Sequence, residues 1–211
     1  MTDLGFVHRF VPSPSGSPLT LLLLHGTGGS ESDLLHLGRE LSPGAALLSP
    51  RGRVLENGMS RFFRRLAEGV FDIEDLTSQT HALARFVADA SKTYGFKPDR
   101  VVAVGYSNGA NIAGSTLILH PEALAGAILI RPMVPFMPET LPNLSRKPIL
   151  ILAGSRDAIV PKEETDKLEK LLKKAGADVT LQWAYATHAI SGDEVAAAKA
   201  WVAGRFADSR A

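Results

Sequence analysis

Apolar residues along this chain come mostly in short, near-continuous runs. Residues 19–24 are interrupted only by Thr20, and further runs stand at 45–48, 101–104, 127–130, 149–153 and 179–184. Runs this short and continuous predict strands covered on both faces. A short candidate strand at 6–11 is separated from 19–24 by the turn-rich Pro12-Ser13-Pro14-Ser15-Gly16-Ser17-Pro18, which predicts a hairpin or edge arrangement at the start of a sheet. Helical spacing occupies 31–41, 75–94, 108–119, 163–175 and 192–206. Strand and helix therefore alternate. That order predicts an α/β fold, a mostly parallel central sheet with helices on both faces, and a ligand site beyond the carboxyl ends of the strands. Residues 49–75 are the least regular part, and so long a loop is usually functional. No repeat, low-complexity tract or linker divides the chain, so residues 1–211 are expected to form one α/β domain.

Composition narrows the chemistry. Lys and Arg total 23 against 22 Asp and Glu, a formal charge of +1, which gives no electrostatic reason to expect nucleic acid or an anionic membrane as a partner. A small, weakly charged molecule fits better. The absence of cysteine removes disulfides, thiolate metal sites and a cysteine nucleophile together. No cofactor and no metal is expected. The longest apolar run falls far short of the roughly 20 residues that span a bilayer, and the first ten residues lack a basic start followed by an apolar stretch. A cytoplasmic protein is the expectation.

The strongest chemical signal is Gly105-Tyr106-Ser107-Asn108-Gly109, directly after the run 101–104 and opening a helical segment. A serine on so sharp a strand-to-helix turn needs small residues two before and two after it, and its hydroxyl is lifted clear of the sheet. The amino-terminal amides of the following helix favour negative charge there. Such a serine is a weak nucleophile until an imidazole takes its proton, and the imidazole needs a carboxylate to fix its tautomer. Only His120 and His188 follow Ser107. His120 ends the helix that Ser107 begins, roughly 20 Å away at about 1.5 Å per residue, and is better explained as a favourable charge at a helix end. His188, after the last strand, is the expected base. Asp157, in the loop after 149–153, is the expected acid; turn formation is its competing role. The glycine-rich His25-Gly26-Thr27-Gly28-Gly29 after an early strand suits an oxyanion hole, with the amides of Thr27 and Asn108 as donors and His25 bracing the turn. It lacks the Gly-Lys-Ser/Thr or G-x-G-x-x-G pattern of a phosphate loop.

His25-Gly26-Thr27-Gly28, the Ser107 pentapeptide, Asp157 and His188, in that order, resemble the α/β-hydrolase superfamily, and within it the compact phospholipase/carboxylesterase family. The likeness runs from about residue 19 to 206, and its spacing leaves no room for a separate lid domain, which implies an open pocket. Ser49-Pro50-Arg51-Gly52, the stretch Glu56-Asn57-Gly58-Met59-Ser60-Arg61-Phe62-Phe63-Arg64-Arg65 and Arg131-Pro132-Met133-Val134-Pro135 resemble, more narrowly, bacterial carboxylesterases and hydrolases encoded near hydroquinone or catechol detoxification enzymes. One departure is Thr187, where many relatives carry glycine before the histidine. The resemblance allows a homodimer.

Met59, Phe62, Phe63, Met133 and Val134, with Phe136, form either an apolar acyl or alcohol site near Ser107 or ordinary core. Arg51, Arg61 and Arg131 either meet a substrate carboxylate through a planar fork or are solvated loop residues, the second being the simpler reading. The sum is a serine carboxylesterase acting on small alkyl or aryl esters through an acyl-enzyme on Ser107. A thioesterase, lysophospholipase or lactone hydrolase of the same fold is the near alternative. A non-catalytic ligand-binding protein that keeps the fold is the distant one.

Overall fold

In the computed structural model, which describes residues 4–206, seven strands form one sheet. They are β1 (His8–Val11), β2 (Thr20–Leu24), β3 (Ala46–Pro50), β8 (Val101–Tyr106), β9 (Gly126–Ile130), β10 (Pro148–Gly154) and β11 (Asp178–Ala184). Their spatial order is β1-β3-β2-β8-β9-β10-β11. All neighbours pair in parallel except β1, which runs antiparallel to β3 at the edge. The predicted edge strand is thus present, but it skips β2 and is no hairpin partner of it.

The apolar runs are continuous because alternate side chains enter two different cores. Leu22, Leu24, Val101, Ala103, Ile149 and Ile151 face one cluster, completed by α2 (Ile73–Tyr94), α3 (Asn108–Leu119) and α4 (Lys162–Lys174). Leu21, Leu23, Val102, Val104, Leu150 and Leu152 face the other, completed by α1 (Leu35–Leu41) and α5 (Gly192–Phe206). This three-layer arrangement is the mostly parallel α/β fold anticipated from the sequence, with no separate lid among the described residues. Helix boundaries follow local chemistry. Asp72 caps α2 through Asp75 N–H, Gly95 ends it at φ 73°, and α1 starts later than its spacing suggests because residues 31–34 form a turn.

The irregular stretch holds structure that its composition concealed. It folds as two small antiparallel hairpins, β4 (Val54–Glu56) with β5 (Met59–Arg61), and β6 (Arg65–Ala67) with β7 (Val70–Phe71). Among the described residues no helix is long and apolar enough to cross a membrane.

Strand order reverses between β2 and β8, so the connections leaving these two strands diverge and open a crevice at their carboxyl ends, where ligands bind in such sheets. The loop 25–29 and Ser107 flank that crevice.

Candidate active site

Ser107 sits between β8 and α3 with φ 53° and ψ −114°, a backbone region that side chains other than glycine rarely enter. Its N–H donates to the Ile130 carbonyl at 2.9 Å, extending the β8–β9 ladder by one rung before the chain turns. The turn is tight enough that a Cβ on Gly105 would stand 2.5 Å from the Gly109 carbonyl oxygen, and one on Gly109 would stand 1.9 Å from the Leu24 carbonyl oxygen. Small residues at these two places are therefore a steric necessity.

Two further loops converge on the serine. The His188 Nε2 atom lies 2.9 Å from Ser107 Oγ, and its Nδ1 lies 2.8 Å from Asp157 Oδ2. Since a carboxylate only accepts, the proton between them belongs to His188 Nδ1, and Nε2 is left as the acceptor facing the hydroxyl. Asp157 holds its own place through Oδ1, which accepts from the amides of Ile159 at 2.8 Å and Val160 at 3.1 Å. Its side chain is 1% exposed and that of His188 20% exposed. The carboxylate is thus shielded and turned toward the ring, while the imidazole remains reachable from solvent. This relay can withdraw a proton from the Ser107 hydroxyl and return it to a leaving group. The three residues come from the ends of β8, β10 and β11, so the sheet brings together all three residues selected from the sequence.

Thr27 and Asn108 stand on either side of the crevice. Asn108 is the first residue of α3, with its amide at the positive end of the helix. Its side-chain oxygen accepts from Phe62 N–H at 2.7 Å. The loop bearing Thr27 is held by β5, where Gly28 N–H donates to the Ser60 carbonyl at 2.8 Å and Arg61 Nη1 donates to Thr27 Oγ1 at 2.7 Å.

His25 is buried behind this loop, as a bracing residue should be. Its Nε2 accepts from Gly52 N–H at 2.9 Å, so its proton rests on Nδ1, which donates to the Gly26 carbonyl at 2.6 Å. Burial pushes the imidazole pKa below the ordinary 6.5, against the raising effect of the Gly26 carbonyl. In the unfolded chain the ring gains a proton near pH 6.5, whereas in the folded chain it gains one only at lower pH. The stability from this group is whole above 6.5 and is lost as pH falls from there through the depressed folded value. Urea midpoints measured between about pH 7.5 and 5 are expected to fall more steeply for wild type than for His25→Asn. Equal slopes would contradict this.

The pocket residues divide. Met59 is 40% exposed and reaches within 3.7 Å of the Cβ position of Gly28; Met133 is half-buried, with its amide donating to Asn111 Oδ1 at 2.8 Å. Both offer surface at the rim. Phe62, Phe63 and Val134 are instead buried in the core cluster. Phe62 packs on the His25 ring at 4.7 Å and Phe63 on Phe71 at 5.1 Å, so as placed these two support the crevice from behind and do not line it.

Two of the three arginines depart further from expectation. Arg51 is exposed and forks onto Glu31 at 2.6 and 2.9 Å. Arg61 and Arg131 are neither solvated nor free for a ligand carboxylate. Arg61 is buried against Glu56, Thr27 and the Phe63 carbonyl, and Arg131 is buried against Glu194. No simple sequence signal separates a buried loop arginine from a solvated one. His120 lies at the far end of α3, its Nε2 2.7 Å from His81 Nδ1 and its Nδ1 3.2 Å from Glu122. Among the described residues no group of three or more His, Asp or Glu side chains is placed to hold a metal ion.

A family model, that of the dienelactone hydrolases, matches residues 64–204, which span β6 to α5 and include Ser107, Asp157 and His188. The chain belongs to the dienelactone hydrolase family. This places it in the α/β-hydrolase superfamily, as its motifs imply. It is similar to "Putative hydrolase MhqD" of Bacillus subtilis (strain 168), with 49% identity over 181 residues covering 86% of this chain and 90% of that protein. The Bacillus cereus carboxylesterase superposes with a TM-score of 0.93 at 47% identity, covering 97% of this chain and 96% of that one. A carboxylesterase from Mesorhizobium loti gives 0.89 at 33% identity, covering 97% of both chains. With these relatives, this member of the dienelactone hydrolase family is a hydrolase of carboxylesterase or dienelactone hydrolase type.

Proposed function

We propose that the protein is a serine carboxylesterase that hydrolyses small alkyl or aryl esters in two steps. The observation that carries the proposal is the unbroken chain Ser107 Oγ, His188 Nε2, His188 Nδ1, Asp157 Oδ2, with links of 2.9 and 2.8 Å. His188 takes the hydroxyl proton as Ser107 Oγ attacks the ester carbonyl, and Asp157 stabilises the imidazolium that results. The oxyanion of the tetrahedral intermediate is received by the amides of Thr27 and Asn108. The imidazolium returns its proton to the departing alkoxide or phenoxide, leaving an acyl group on Ser107. Water, deprotonated by His188, then attacks the acyl carbonyl, and the acid leaves as Ser107 recovers its proton. Every proton and electron pair is carried by these groups and water, so no cofactor or metal is invoked. Met59 and Met133, the accessible apolar side chains at the rim, contact the acyl or alcohol portion.

Lactones form a second reading, favoured by the match to the dienelactone hydrolase family model. Ring opening would use the same steps with the leaving oxygen still tethered.

The test has two arms. Turnover of p-nitrophenyl acetate is measured beside thioester, lysophospholipid and lactone panels. In parallel, the protein is treated with a fluorophosphonate and its peptides are mapped by mass spectrometry. Ester turnover with the phosphonyl mass on Ser107 is expected. Turnover without a Ser107 adduct would remove the mechanism, and turnover confined to another panel would reassign the substrate.

A further inference from the structure

The loop that carries His188 has no regular structure of its own, and on the β10 side the Arg156 N–H donates to its Ala186 carbonyl at 3.0 Å. Residues 185–191 form no strand or helix, Tyr185 is 83% exposed, and the His188 side chain is partly open to solvent. Yet the ring must stay within hydrogen-bond reach of both Ser107 and Asp157. Further restraint comes from the opposite side of the loop, through its main-chain carbonyls.

Arg131 is the first residue after β9. Its N–H donates to the Leu152 carbonyl at 2.9 Å, and its backbone then turns to φ 56°, a left-handed conformation costly for a long side chain. That turn accompanies a guanidinium that is wholly buried, with all five of its N–H donors engaged. Nε donates to the Thr187 carbonyl at 3.0 Å, and Nη2 to the Ala189 carbonyl at 2.7 Å. Nη1 donates to the Leu152 carbonyl at 3.1 Å, and the two Nη atoms fork onto Glu194 at 2.6 and 2.9 Å. The residues on either side of His188 are thus held by one rigid, planar group. Between them, the His188 carbonyl accepts from Tyr106 Oη at 3.2 Å, and Tyr106 directly precedes Ser107.

Glu194 supplies the matching charge and anchors the clamp to α5. Its Oε2 accepts from both the amide and the hydroxyl of Ser191 at 2.9 Å. Burial works to raise its carboxyl, but the Arg131 fork and the Ser191 bonds outweigh this and keep its pKa below the usual range. A buried charge pair of this kind is not by itself a stabilising device, since desolvating both ions consumes much of their attraction. Its geometric effect is specific: it fixes the carbonyls flanking one imidazole.

We propose that Arg131, held by Glu194, is a positioning residue for His188, setting the ring's distance and orientation toward Ser107 and Asp157. The inference rests on the esterase reading above. A lysine in its place would keep the positive charge but lose the planar fork that reaches Thr187, Ala189 and Glu194 together. Displacement of a reacting group by about an ångström costs up to roughly a hundredfold in rate.

The experiment is a double-mutant cycle on p-nitrophenyl acetate, using wild type, Arg131→Lys, His188→Ala and the double variant. Arg131→Lys is expected to lower kcat roughly 10- to 100-fold with KM little changed, and to broaden or shift the far-downfield proton resonance of His188 Nδ1–H. In the His188→Ala background the same change should alter the residual rate less than about twofold, because a residue acting through His188 has nothing left to position. Glu194→Gln, which replaces one acceptor of the fork by a donor, should reproduce the kcat effect in the same direction and serves if Arg131→Lys does not fold. Wild-type kcat in either folded variant, or an equal fall with and without His188, would overturn the assignment. Failure of the esterase reading is seen separately, as no difference between wild type and Ser107→Ala.

Discussion

Ser107→Ala is expected to lower kcat for p-nitrophenyl acetate by about a millionfold, with His188→Ala costing nearly as much and the pair together little more. The reason lies in the two short links of the relay. Without the hydroxyl there is no atom to attack the carbonyl. Without Nε2 at 2.9 Å, the hydroxyl keeps its proton and attacks no better than water. Either loss disables the same step, so their effects cannot add. Asp157→Asn should be milder, about ten-thousandfold, because an amide can offer a donor to Nδ1 and favour the wrong tautomer while leaving nucleophile and ring in place. Residual activity should stay above the uncatalysed rate, supported by the Thr27 and Asn108 amides. The check is kcat measured at protein concentrations that exclude trace wild type by mass spectrometry. A Ser107→Ala variant within tenfold of wild type would refute the proposed chemistry.

The second large effect is on stability. Gly109→Ala is expected to destabilise the fold by about 3–5 kcal/mol, although one methyl group is the whole change. The new Cβ would meet the Leu24 carbonyl oxygen at 1.9 Å and its carbon at 2.4 Å. These are backbone atoms at the end of a central strand, paired to β8 and buried on both sides, so neither can swing aside. Relief requires moving α3 away from the sheet, which opens the core beneath it. Gly204→Ala is the matched comparison, since nothing lies within 4 Å of its Cβ position and alanine in a helix is favoured over glycine by about 1 kcal/mol. Urea unfolding of both variants should therefore shift the midpoint in opposite directions. A loss below about 1 kcal/mol for Gly109→Ala would mean the elbow is looser than its geometry indicates.

Much of this was legible from sequence because the relevant signals are local. An apolar run such as 101–104 states that both faces of a strand are covered, and Gly105 and Gly109 state that the chain turns sharply around Ser107. Once the strands were placed in parallel, Asp157 and His188 had to emerge at the same edge as the serine, since each directly follows a strand. What stayed hidden depends on contacts distant in sequence. Phe62 and Phe63 lie in a stretch with no helical or alternating pattern, and their burial follows from hairpins only two or three residues long. Arg131 looked like a loop arginine because its partners are a carboxylate 63 residues away and carbonyls 56 and 58 residues away. A partial clue was present in Ser191-Gly192-Asp193-Glu194, the pattern of a capping box at a helix start. The same Glu194 carboxylate that bonds Ser191 also receives the guanidinium, a second role that spacing cannot disclose.

The path of the chain through the sheet also bears on when catalysis can begin. Serine, carboxylate and imidazole are delivered by β8, β10 and β11, and Glu194 arrives later still, on α5. A ribosome that has released the first 180 residues has made nearly the whole sheet and the nucleophile, but nothing able to activate it. On the esterase reading proposed above, a polypeptide that stops before residue 188 has the serine but not the base that activates it, and full reactivity waits for α5 to bring Glu194 onto Arg131.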